Sequence, residues 1–272
     1  MNHPYLPIAA KPFNKAAFVI KATLVSLVII SIFGFLTFDY RGVNAMEGMA
    51  AFLRNFKTML TEPHFKHFTF GEALYQMTVT VGLAFLTTLF GGIIALLLGL
   101  FAAQNLSNAK VSNIIKSFAA FVRAVPTVLW VLIFAVSAGL GSVAAVVGMT
   151  FHSVSYLIKA YSESFEELDK GVIEALRGSG ANWWQIVFQA VLPTSLSSIL
   201  SWTFFRFEIN FGIAVAMGAA AGAGGIGFEM FMASSFYIDI REIGTITYFV
   251  LAFAILLEIF ASRLKARIRA RS

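Results

Sequence analysis

Stretches of about twenty mostly apolar residues recur along this chain, and each is long enough to cross a hydrocarbon core ~30 Å thick. They fall at 17–38, 75–103, 114–138, 143–161, 195–222 and 243–261. The pattern predicts an all-α integral membrane protein with six transmembrane helices. Composition points the same way. Of the 272 residues, 58% are hydrophobic and 12% charged, against about 45–50% and about 25% in a soluble domain. So apolar a chain cannot cover a water-facing surface, which excludes a soluble enzyme, a disordered protein and a nucleic-acid binder. The absence of cysteine excludes disulfides, thiolate catalysis and Cys-based metal sites.

The first stretch follows Lys11 and Lys15, as a signal peptide would. It is longer than the ~7–15 apolar residues of such a signal, and no small-residue cleavage site closes it, so it reads as a retained span. Residues 1–16 are then an N-terminal tail and 39–72 an outer loop. In that loop Met46, Met49, Ala50, Leu53, Phe56 and Leu60 recur at helical spacing, which predicts an amphipathic surface helix over 43–60. Residues 73–264 form a core of five spans with a long polar segment at 162–193, and 265–272 are a basic tail. Six spans put both termini on one side. Twelve of the Lys and Arg residues fall on that side, five on the other and three (Lys21, Arg123, Arg206) inside spans. This bias places the termini and the segment 162–193 in the cytoplasm. It also accounts for the net charge of +6 without nucleic acid.

Catalytic constellations are missing. Gly178-Ser179-Gly180 has no Lys after it, so the chain lacks a phosphate-binding loop for ATP. The four histidines, His3, His64, His67 and His152, are scattered, and His64 with His67 reads as a chance surface pair rather than a metal site. No Ser, His and acid are marked as converging. Transport or signalling becomes the default role, with no catalytic residue and no metal expected.

The segment Glu174-Ala175-Leu176-Arg177-Gly178-Ser179-Gly180-Ala181-Asn182-Trp183-Trp184 leads on to Leu192-Pro193. By its own physics it is a helix, a glycine-permitted turn and a second short helix, with Pro193 opening the fifth span where a missing N–H costs least. Trp183, Trp184 and Val187 are expected on one face. Such tryptophans serve either as membrane-interface anchors or as a docking face for a protein partner. The segment resembles the Glu-Ala-Ala-x3-Gly-x9-Ile-x-Leu-Pro signature of ABC-importer permeases. Glu174, Ala175, Gly180, Leu192 and Pro193 match it, while Leu176 and Ala190 depart from it. The resemblance implies the type I importer architecture and gives Glu174 to Ile186 the role of seating on an ATPase subunit.

Further residues resemble the phosphonate-importer branch over roughly 71–264. They are Arg123-Ala124-Val125-Pro126, Gly139-Leu140-Gly141, His152 with Lys159, Ser179 to Asn182, Arg206-Phe207-Glu208, Asn210 and Gly222 to Gly227. Thr127 and Gly212 stand where that branch often has Glu and Arg. The resemblance implies a multi-pass protein of a bacterial cytoplasmic membrane. It also implies a homodimer or paired permease, two ATPase subunits and an extracytoplasmic binding protein. The chain itself would bind no cofactor, with ATP and Mg held by the partner ATPase.

Ionisable groups inside a span cost ~2.5–3.5 kcal/mol or more, so they need a partner or a water-filled path. Lys21 can snorkel, and Glu258 can pair with Arg263 or Lys265 near the surface. Arg123 sits beside Pro126. Arg206 shares a helix face with Asn210, and Glu208 points roughly opposite. These residues either bridge helices or give an anion positive potential along its route. Gly224 and Gly225 belong to a glycine-rich stretch suited to close packing and a sharp turn, or to a gate. The candidate pathway set is therefore Arg123, Pro126, Arg206, Glu208, Asn210, Gly224 and Gly225. The resemblance implies a permease subunit of a binding-protein-dependent ABC importer for phosphonate or a related phosphorus oxyanion, with another small solute (phosphite, phosphate or an amino acid such as methionine) as the alternative. An ion-driven secondary transporter is the alternative of a different class.

Overall fold

The computed structural model describes residues 14–38, 42 and 44–269. Residues 1–13 of the expected N-terminal tail lie outside the described residues, as do Arg41 and positions 270–272 of the basic tail. All regular structure among the described residues is helical. In chain order the helices are α1 (Lys15–Thr37), α2 (Ala45–Thr61), α3 (Phe70–Ala102), α4 (Ala109–Ala124), α5 (Thr127–Ala138) and α6 (Ser142–Glu166). They continue as α7 (Lys170–Gly178), α8 (Trp183–Ile186), α9 (Leu192–Ala220), α10 (Ile226–Phe231) and α11 (Ile240–Arg269).

The chain divides into two compact units, 1–53 and 54–272. In the first, α1 is an apolar helix of 23 residues with no buried position, capped by Asn14, whose Oδ1 accepts from the Ala17 N–H at 3.1 Å. The expected boundary at 72/73 falls inside the second unit. The physical reason is that residues 62–69 are hydrogen-bonded to the start of α11. His67 N–H donates to Glu242 Oε1 at 2.7 Å, and Thr245 Oγ1 donates to the His64 carbonyl at 2.7 Å.

In this second unit α3 is the central element, packed on α6 and α9, while α5 lies on α6 and both α10 and α11 lie on α9. The buried positions of α3 (among them Ala73, Met77, Thr80, Ala84, Thr88, Gly91, Ala95 and Gly99) recur every three or four residues. They are mostly small, which lets helix backbones approach closely where lipid supplies no hydrophobic drive between helices. Thr69 opens α3 with a reciprocal cap to Glu72.

Five helices or helical runs are long and apolar enough to cross a membrane, and a sixth crossing requires α4 and α5 together. The stretch expected as one span over 114–138 is broken by 89° between α4 and α5. Pro126 causes the break: it drives Val125 to an extended conformation (φ −93°, ψ 126°) and cannot continue the ladder of α4. The fifth span also differs from expectation. Helical geometry begins at Trp183 and runs to Ala220, so Pro193 lies inside a 38-residue helical path rather than at its start. A wider π turn over Val187–Val191 immediately precedes it. Such turns appear where a regular i→i−4 ladder is interrupted.

Two apolar cores fill the bundle. One gathers Met77, Leu83, Val131, Met149, Phe211 and Ile246. The other gathers Leu100, Leu157, Phe165, Ile173, Ile186 and Val191.

Candidate functional site

The segment after α6 is built from local signals. Asp169 caps α7 by accepting from the Gly171 N–H at 2.8 Å. Gly180 then turns the chain with φ +87°, a left-handed conformation that costs a side-chain-bearing residue about 1–2 kcal/mol. Asn182 and Gln185 form a reciprocal cap on α8, at 2.9 and 2.7 Å. The two tryptophans part company, against the expectation that both share a face with Val187. Trp183 faces inward with the buried Val187: it stacks on Phe101 with ring centroids 5.3 Å apart and donates Nε1–H to the Leu106 carbonyl at 2.9 Å. Trp184 faces outward, 53% exposed, and stacks on exposed Phe188. The pairing follows i, i+4 spacing in each case. Glu174, Ala175, Gly180 and Asn182 are exposed, Ala181 and Leu192 half-buried, and Pro193 exposed. The sequence signature thus forms an elbow whose inner side is bolted to the bundle and whose outer side is open. Beside it Arg177 Nη2 reaches the Asn105 carbonyl at 3.3 Å, across a cleft lined by Gln104, Lys170 and Glu174.

Halfway along α9 lies a polar knot. Arg206 is 2% exposed. Its Nε–H donates to Ser153 Oγ at 3.0 Å, Nη2 meets His152 Nδ1 at 3.1 Å, and the guanidinium carbon lies 5.2 Å from the Tyr156 ring centroid. Ser153 Oγ donates to Asn210 Oδ1 at 3.1 Å, and Asn210 Nδ2–H donates to Thr88 Oγ1 at 2.9 Å. No carboxylate within salt-bridge range of Arg206 occurs among the described residues. Ser153, His152 and the Tyr156 ring of α6 surround the cation, and Asn210 ties α9 to α3 through Thr88. Glu208, two residues on, is exposed on the opposite face. Arg123, at the end of α4, donates from Nη1 to the Ser155 carbonyl at 2.6 Å. Arg206 and Asn210 are therefore brought together, Arg123 meets the same stretch of α6 at Ser155, and Glu208 is exposed on the other face of α9.

Gly224 and Gly225 follow α9. The Gly225 N–H donates to Gln76 Oε1 at 3.1 Å and the Ile226 N–H to Thr80 Oγ1 at 2.9 Å. With φ +75° and Thr80 Oγ1 in the place a Cβ would occupy, only glycine fits at 225. The Gly224 carbonyl lies against Gly218. The loop is packed onto α3.

Sequence reasoning missed Ser153 and Thr88, because a small hydroxyl on an apolar helix carries no signal of its partner. It also missed the role of His64 and His67. His67 Nδ1 lies 2.7 Å from Glu242 Oε2, and His64 Nε2 lies 3.1 Å from Asp239 Oδ2. A usable signal was present: two histidines three apart face two acids three apart. Atoms of His67, Asp239 and Glu242 that could ligate a metal lie within 4.8 Å of one another. Those of Glu242 already receive the His67 ring and two backbone N–H groups, from Lys66 and His67. The group works as a clasp. Burial alone pushes the Asp239 carboxyl up, but the Glu242 N–H, the His64 ring and the Arg241 N–H outweigh it and hold the group below its ordinary range.

The sequence profile of the binding-protein-dependent transport system inner membrane component family matches residues 95–272. The chain belongs to that family. Relatives include the phosphate-import permease PhnE of Mycolicibacterium smegmatis, 30% identical over 194 residues, covering 71% of this chain and 35% of PhnE. The phosphite transport system permease PtxC of Stutzerimonas stutzeri is 29% identical over 187 residues, covering 68% of this chain and 67% of PtxC. The chain thus spans about a third of the length of one relative and two thirds of the other. Among solved structures, the inward-facing MetNI methionine ABC transporter matches with a TM-score of 0.65 at 22% identity, over 71% of this chain and 94% of that one. The fold of this family member is that of a type I ABC-importer permease, and relatives at about 30% identity include phosphate and phosphite permeases. It is a transport component rather than a catalytic one.

Proposed function

We propose that a pair of these permease chains forms the translocation pathway for a phosphonate or a related phosphorus oxyanion. ATP hydrolysis comes from two separate ATPase subunits that hold ATP and Mg, and cargo comes from an extracytoplasmic binding protein. The single observation that carries the reading is the elbow at Glu174 to Trp184: its outer surface is open while Trp183, Ile186 and Val187 fix its inner surface to the bundle. Such a build can take a push from a docked ATPase and pass it to α9, which continues the helical path that begins at Trp183. The Lys and Arg bias supports a cytoplasmic elbow and cytoplasmic termini, and the bacterial relatives support a bacterial inner membrane. ATP binding would close the ATPases and swing the bundle to outward opening, and hydrolysis would reset it. The polar knot at Arg206, the exposed Glu208 and the packed loop at Gly224-Gly225 are the candidate pathway and gate elements.

The test is ATP hydrolysis by the reconstituted assembly with its binding protein. The panel is methylphosphonate, 2-aminoethylphosphonate, phosphite, phosphate and methionine. Stimulation by phosphorus compounds alone supports the cargo. Stimulation by methionine alone keeps the importer and discards the oxyanion.

A further inference from the structure

A second basic site neighbours the Arg206 knot but shares no lining residue with it. Between α4 and α6 there is a cavity of about 170 Å³, lined by Lys116, Ala119, Arg123, Ile158, Lys159, Ser162 and Glu163. At ~30 Å³ per water it has room for several waters, and so for one tetrahedral anion. Three cations and one carboxylate line it. The pairings inside it are uneven. Lys116 is held at 2.7 Å by Glu166, which does not line the cavity. Lys159 and Glu163 are 3.8 Å apart, one helical turn from each other, with exposed side chains. Arg123 has no acidic partner among the described residues and spends one N–H on the Ser155 carbonyl. A guanidinium fork and two ammonium groups converging on one hollow match the geometry of a tetrahedral oxyanion.

The hollow runs along the C-terminal half of α6, the helix that leads into the elbow. Lys159, Ser162 and Glu163 lie in the last two turns of α6, just ahead of α7. Glu166, at the end of α6, also accepts from the Gln104 N–H at 2.8 Å. An anion bound to Lys116 and Lys159 would compete with Glu166 and Glu163 at the joint between α3, α4 and α6.

We propose that this cavity is a binding site for a phosphate-class oxyanion along the C-terminal half of α6. Two sources share that chemistry: the free oxyanion and the headgroup of an anionic phospholipid, for which basic pockets between membrane helices are suited. The choice of methylphosphonate as first probe rests on the cargo proposed above, whereas the site itself rests on the cavity.

In the test the full chain, in nanodiscs of phosphatidylcholine alone, is titrated with methylphosphonate and with inorganic phosphate, read by displacement of radiolabelled phosphate. Saturable binding is expected, weakened at least ~10-fold by Lys159→Ala and by Arg123→Ala and strengthened several-fold by Glu163→Gln. Lys159 and Glu163 have exposed side chains, so their variants test the site even if Arg123→Ala fails to fold. The second arm uses nanodiscs containing phosphatidylglycerol and native mass spectrometry. If the ligand is the lipid, free anions do not bind, and the wild-type chain retains phosphatidylglycerol that Lys159→Ala and Arg123→Ala lose. Either pattern upholds the site. No binding in both arms, or binding indifferent to Lys159→Ala and Glu163→Gln, overturns it. Uptake by the assembled transporter is scored separately. Import of a phosphonate with the cavity empty sinks this inference alone, and a filled cavity without phosphorus uptake sinks the proposed function alone.

Discussion

The two ends of the bundle are held by different kinds of bond. α3, about 50 Å long at 1.5 Å per residue over its 33 residues, joins them. At its start, residues 62–69 are fastened to α11 by charge. The Glu242 side chain is fully buried and accepts three hydrogen bonds, Arg241 Nη2 meets Glu62 Oε2 at 2.8 Å, and Tyr248 donates to the Leu60 carbonyl at 2.5 Å. At its end, the elbow is fastened by packing: the Trp183 stack on Phe101, one indole N–H bond and the apolar residues Ile173, Ile186 and Val187. Directional ionic bonds fix a loop in one pose. A packed face allows an elbow to shift as a unit without leaving a charge unpaired.

The largest break in this contrast is expected from Glu242→Ala. It strands two backbone N–H groups and the His67 ring, and loss of one partner of a buried pair costs about 3–5 kcal/mol. Thermal unfolding of the detergent-solubilised protein should show a large drop in Tm, and an unchanged Tm would deny the clasp its structural role. Trp183→Ala should cost roughly 2–3 kcal/mol, at the low end for an aromatic deletion because the ring is half-buried. Trp184→Ala, on the open face, should stay within ~0.5 kcal/mol of wild type while weakening capture of the ATPase partner. Equal stability losses from the two would erase the inner and outer faces of the elbow. Gly180→Ala should cost about 1 kcal/mol through its left-handed φ. Gly180→Trp should leave the chain folded and inserted, because open space surrounds the position, yet abolish transport and ATPase docking. Normal transport in that variant would remove the elbow from the mechanism.

The smallest effect concerns pH. Asp239 is depressed below its ordinary value of 3.8, so its stabilising contribution is fully present above that value. It fades as pH falls through the lower folded-state value. The stability gap between wild type and Asp239→Asn should therefore close as pH falls from about 4 toward the lower folded-state value. A gap that widened over that acid range would reverse the assignment.

Much of the fold was legible in particular residues. The apolar stretches mark the spans, and the glycines at 178 and 180 mark the turn of the elbow. The face relation of Arg206, Asn210 and Glu208 follows from 3.6 residues per turn. The partners of these groups were not legible, because they come from other helices. Ser153 and Thr88 lie 53 and 122 residues from Arg206 and Asn210 respectively. Glu242 and Asp239 lie 175 residues from His67 and His64.

The sequence by itself therefore determined that the chain enters a membrane as helices, where those helices are punctuated, and which short elbow resembles a coupling element. These are local properties, set by hydropathy, backbone stereochemistry and capping within a few residues. Only the tertiary structure decided that Arg206 is buried among neutral dipoles, that α4 bends away at Pro126 by a near right angle, that Trp183 is packed inward while Trp184 beside it stays exposed, and that two histidines clasp two acids. Each of those depends on how helices meet. In lipid that meeting is settled by close packing and paired polar groups rather than by any one helix's sequence.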